Sequence, residues 1–112
     1  MYYYSLRIWV DEEKAPLIDE ILGVSSEDPN SNWWIFEKVI GEDDPQIYFI
    51  SYFLGILKGN YEKLKEIGVE RDDITIWMLY EYDQQCNMEF EPSDLLELGK
   101  EGIKLCVSCW EK

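Results

Sequence analysis

Residues 2–10 alternate without a break. Tyr2, Tyr4, Leu6, Ile8 and Val10 fall on one side; Tyr3, Ser5, Arg7 and Trp9 fall on the other. Successive side chains of a strand point to opposite faces, so this segment is a β-strand with one strongly apolar face. Such a strand folds only if a second layer covers that face. The rest of the chain offers both kinds of layer. Trp33-Trp34-Ile35-Phe36 opens a second strand that runs to about Ile40. Ile74-Thr75-Ile76-Trp77-Met78-Leu79-Tyr80-Glu81-Tyr82 is the strongest strand, and residues 103–110 form the last. After a turn at Asp83-Gln84-Gln85, Cys86 to Phe90 is expected to pair back as a short strand.

Between the strands lie helical signals. Pro16 suits a first helical turn, and Leu17, Ile18, Ile21 and Leu22 form a short helix closed by Gly23. Asp44 reads as an N-cap before Pro45. Behind it Ile47, Ile50, Leu54, Leu57, Tyr61 and Leu64 recur at spacings of three and four, which predicts a helix to about Ile67. Gly55, Gly59 and Asn60 mark a place for a kink. Tyr48, Phe49, Tyr52, Phe53 and Ile56 lie off the stripe and imply burial on more than one side. Glu91-Pro92-Ser93-Asp94 starts a third helix through Leu95, Leu96 and Leu98, closed by Gly99 or Gly102. The order predicts one domain over residues 1–112, a two-layer α+β sandwich with helices on one sheet face. Within that class the expectation is a ferredoxin-like β-α-β / α / β-β-α-β arrangement.

Charge narrows the function. Acidic residues outnumber basic ones 24 to 10, the net charge is −14, and there is no histidine. Such a surface repels nucleic acid and anionic membrane and attracts basic partners. Without histidine the chain lacks the commonest general base and metal ligand. Hydrophobic residues at 46% and aromatics at 15% distinguish it from a disordered acidic chain. No apolar run approaches the roughly 20 residues of a membrane span, and residues 1–7 do not read as a signal peptide. Cys86, Cys106 and Cys109 have no framework spacing, which suggests reduced thiols in the cytoplasm.

The residues that carry chemistry are sparse. Cys106-Val107-Ser108-Cys109 is a C-x-x-C, but it lies in a strand, where positions three apart face opposite ways. The three cysteines are therefore expected to be buried structural thiols, and no metal or cofactor is expected. Carboxylate pairs occur at Glu81 and Asp83, Glu89 and Glu91, and Asp72 and Asp73, but nothing selects one as an acid/base pair. Neither a calcium loop nor a glycine-rich phosphate loop is present. The expectation is a protein that is not an enzyme.

The block Tyr82-Asp83-Gln84-Gln85-Cys86-Asn87-Met88-Glu89-Phe90-Glu91-Pro92, with Leu95, Leu98, Gly102-Ile103 and Leu105 to Glu111, resembles the uncharacterised bacterial domain of unknown function 4279. The first strand, Trp33-Trp34 and the middle helix fit the same layout. The resemblance implies a small bacterial α+β protein and carries no catalytic or binding residue with it.

Two surfaces are candidates for binding. If Leu6, Ile8, Ile76, Met78, Leu105 and Val107 face the helices, then Arg7, Trp9, Thr75, Trp77, Leu79, Lys104, Ser108 and Trp110 face outward. Trp9, Trp77 and Trp110 would then cluster on an open face, unless the 25–32 loop folds over it. The second is acidic: Asp11-Glu12-Glu13, Glu42-Asp43-Asp44 and Glu81 with Asp83 all follow strand ends, and would meet on one edge if those strands ran parallel. Together they suggest an acidic binding protein, in its most concrete form an immunity or inhibitor protein against a basic toxin. The alternative is a homodimeric ligand-sensing or housekeeping domain.

Overall fold

A computed structural model describes residues 2–27, 32–41 and 47–112. Four strands, β1 (Tyr2–Trp9), β2 (Trp33–Ile40), β3 (Ile74–Tyr82) and β4 (Lys104–Glu111), form one sheet in the order β2-β1-β3-β4. Four helices, α1 (Ala15–Leu22), α2 (Phe49–Leu57), α3 (Tyr61–Glu66) and α4 (Pro92–Glu101), pack on one face of it. The two-layer α+β sandwich stands, and the four long strands lie where alternation put them.

Within that class the connectivity departs from the ferredoxin-like expectation. That topology splits its β-α-β unit, with a further strand inserted between two parallel ones. Here β1 and β2 are direct antiparallel neighbours, with Trp9 opposite Trp33 and Tyr2 opposite Ile40. The connection through α1 returns the chain at the end of the sheet it left, where the Val10 N–H donates to the Asn32 carbonyl and Asp19 of α1 holds Trp34 of β2. Only β3 and β4 run parallel, joined by residues 83–91 and the ten residues of α4. Residues 86–90 do not form the expected short strand; after the bridge between Asp83 and Gln85 they run as the irregular first limb of that crossover.

The core lies between sheet and helices. Leu6, Ile8, Trp34, Ile76, Ile18 and Phe53 are fully buried there. The middle helical stretch breaks in two. Lys58 leaves helical geometry and Gly59 takes a left-handed conformation (φ 83°), so α3 starts afresh after Asn60. Helix α2 begins at Phe49, with Ile47 and Tyr48 outside it; the expected cap at Asp44-Pro45 lies outside the described residues. Phe49 and Phe53 join the core while Tyr48 and Tyr52 stay exposed, so α2 buries one broad face rather than its whole girth. Helices α1 and α4 both close on left-handed glycines, Gly23 and Gly102.

The two layers are tied at specific points. The buried Trp34 donates its indole N–H to Asp19 Oδ1 at 2.7 Å, which fixes β2 against α1. The same oxygen accepts the backbone N–H of Ser26 at 3.1 Å. Lys14 Nζ donates to the Ile67 carbonyl at 2.7 Å, beyond the end of α3. Arg71 stacks on the Tyr61 ring at 3.8 Å and donates to the carbonyl of Glu101.

Candidate interaction face

Among the described residues, the opposite face of the sheet carries no helix. Strand registers arrange its side chains in cross-strand rows. One row is Ile35, Arg7, Thr75 and Lys104; the next is Glu37, Ser5, Trp77 and Cys106; the third is Val39, Tyr3, Leu79 and Ser108. Trp33 beside Trp9 closes one end, and Glu81 beside Trp110 closes the other. The assignment of faces read from the alternation is therefore the observed one. Trp9, Val39 and Trp110 are between 41% and 51% exposed, a large apolar share to leave in water. Residues 26 and 27 do not lie over this face. The Glu27 N–H donates to the Ile35 carbonyl and the Ile35 N–H to Ser26 Oγ, so they run along the free edge of β2.

The centre of the face is polar and bonded. Arg7 Nε donates to Ser5 Oγ at 3.0 Å, and the Arg7 guanidinium lies 4.7 Å from the centre of the Trp77 ring. Trp77 Nε1 donates to Thr75 Oγ1 at 3.1 Å. Ser5, on the same face, is completely buried. Desolvation lowers the Arg7 pKa, and the nearby Glu37 and Cys106 act against that shift. Sequence alternation placed Arg7 and Trp77 on this face, but their stacking depends on the β1–β3 register.

The three tryptophans share the face without clustering. Trp77 is four residues along the sheet from Trp9 in one direction and from Trp110 in the other, about 13 Å each way. The aromatic neighbour of Trp9 is Trp33, edge-on at 4.9 Å. The acid clusters do not converge as expected either. Strand β1 runs antiparallel to β3, so Asp11, Glu12 and Glu13 lie at one end of the sheet and Glu81 and Asp83 at the other. Glu42, Asp43 and Asp44 fall outside the described residues.

The thiols need a correction too. Cys109 is exposed, and Cys86 and Cys106 are half-buried, so none is a core residue. Strand β4, which holds Cys106 and Cys109, is a sheet edge that the helices barely cover, so the general tendency of free cysteine to be buried does not hold there. Cys106 and Cys109 do face opposite ways. Cys86 lies beside Cys109, and desolvation followed by that neighbour pushes the Cys86 thiol up; this proximity arises from the crossover limb, which no local pattern describes. Among the described residues no group of three cysteine or acidic side chains could hold a metal ion.

On the helical side, a cleft of about 450 Å³ opens between the start of β1, the start of α2 and residues 87–91. Tyr4, Phe49, Met78 and Met88 line it, and Glu89, Glu91 and Asp94 border it. Glu81 and Asp83 border a second hollow at the same end of the sheet. Of the third carboxylate pair, Asp73 accepts the Glu70 N–H at 2.9 Å and serves as a turn cap. Among the described residues no helix is long and apolar enough to cross a membrane. Neither a family model, nor a curated protein, nor a solved structure matches the chain.

Proposed function

We propose that the chain is a non-enzymatic binding protein whose helix-free sheet face docks a protein of net basic charge. The observation that carries this reading is the face itself: four strands wide, uncovered among the described residues, with Arg7 on Trp77 near its middle, Trp9 and Trp33 at one end and Trp110 at the other. Tryptophan and arginine are the side chains most enriched at binding hot spots. The face carries two bases and two acids, Arg7 and Lys104 with Glu37 and Glu81, so its own charge is balanced. The attraction comes from the whole molecule, whose −14 charge steers a cationic partner over a distance. The most concrete form is a cytoplasmic immunity or inhibitor protein. It would sit over the positive cleft that a nuclease-like toxin needs for its substrate.

The test is calorimetry against a basic protein encoded by a neighbouring gene, co-expressed and purified. Affinity is expected to fall at least about tenfold between roughly 0.05 and 0.3 M salt, as steering is screened. Trp77→Glu is expected to abolish binding while circular dichroism shows the fold intact. Salt-independent binding, or binding that survives Trp77→Glu, would refute the reading.

A further inference from the structure

The two edges of the sheet are treated differently. The β2 edge is engaged by residues 26 and 27. The β4 edge pairs with β3 on one side and, among the described residues, has no strand on the other. Edge strands are normally blunted by proline, bulges or inward charges, because their free N–H and C=O groups template pairing with another chain. Strand β4 has none of these: it holds no proline, its register to β3 is unbroken over eight residues, and its charges sit at the ends. It is also exposed on both faces. Val107 points to the helical side yet is 41% exposed, and Trp110 on the other side is equally so.

We infer that β4 pairs antiparallel with β4 of a second copy of this chain, about a two-fold axis at Val107, giving one eight-stranded sheet. Charge and register argue for this occupant. Residues 104–112 hold two lysines against one glutamate, so on a chain of −14 this edge lacks the acid excess that would keep a second copy away. With Val107 opposite itself, Lys104 faces Trp110 of the second copy and Trp110 faces its Lys104. Leu105 meets Cys109, Cys106 meets Ser108, and every pair shares one sheet face. The interface is thus self-complementary, with two reciprocal cation–aromatic contacts. Moving the axis to Ser108 sets Lys104 against Lys112, like charges directly opposed. A one-residue slip pairs side chains of opposite faces. The two-fold axis stands perpendicular to the sheet, so both helical layers stay on one side and both bare faces on the other.

This inference is independent of the basic partner, and salt separates the two. Two chains of −14 repel, so dimerisation strengthens as salt rises, whereas heterologous binding weakens. Sedimentation velocity across micromolar concentrations is the test. Expected are a monomer–dimer equilibrium shifted toward dimer by salt, a loss of at least about tenfold in association for Val107→Lys, which sets two cations at the axis, and an unchanged equilibrium for Trp77→Glu. Trp110→Lys, at an exposed position and set directly opposite Lys104 of the second copy, is expected to weaken it similarly and serves if Val107→Lys does not fold. A monomer at every concentration and salt, or a dimer that survives both β4 variants, would overturn the inference.

Discussion

Single side chains join the layers where apolar packing alone would let them slide. Asp19 does this for β2, and Tyr61 does it for α3. Burial first, and then the adjacent Glu101 carboxylate, push the Tyr61 phenol well above its ordinary value, with Arg71 opposing. The phenol is therefore neutral in the fold at pH values where the unfolded chain ionises it. Its contribution to stability is complete below about pH 10 and is lost as pH rises from there toward the folded value. Urea unfolding between about pH 9 and 11, the window where free tyrosine titrates, is expected to show falling stability that is shallower in Tyr61→Phe. An equal slope in both proteins would assign the alkaline loss to other groups. No residue of this set is legible from sequence, because Tyr61, Arg71 and Glu101 meet only after α3, β3 and α4 have packed.

Among the elements, legibility followed periodicity. The strands alternate, alternation is imposed by the pleat, and the four long strands and their buried faces were readable down to Leu6 and Ile76. The middle helix was half readable. Its spacing from Ile47 to Leu64 is continuous, yet the backbone turns at Gly59, whose positive φ costs an ordinary residue about 1–2 kcal/mol. A side chain there would meet open space, with no atom within 4 Å of a built Cβ. Gly59→Ala is thus expected to destabilise by about 1 kcal/mol through backbone strain alone, read as a lower urea midpoint with unchanged slope. A neutral result would mean the break tolerates right-handed geometry and α2 could run on into α3. Strand order was not readable, since which strand lies beside β1 is decided by contacts between distant segments, the Trp34–Asp19 bond among them. Cys86 was misjudged for a related reason: its surroundings belong to the crossover limb, not to a repeating pattern.

At the scale of the molecule, −14 charges share a body of 45 × 31 × 22 Å. At about 0.01 M salt the screening length is about 30 Å, so charges on opposite sides repel through the fold; at physiological salt it is about 8 Å. The native state is expected to gain roughly 1 kcal/mol, or about 4 °C in Tm, over that interval, measured by calorimetry on dilute protein. A Tm that falls with salt would show that local attractions outweigh the excess of acid. The bare sheet face acquires a different meaning in this setting. Its middle is a solved arrangement before anything arrives: Ser5 is bonded, the Arg7 guanidinium is laid on Trp77, and the Trp77 indole N–H is spoken for by Thr75. Freezing a long side chain on association costs about 0.5–1.5 kcal/mol. Arg7 has met most of that cost in the free protein. The face is thus preorganised at its centre, a surface that waits in water without collapsing and meets another molecule without first having to rearrange.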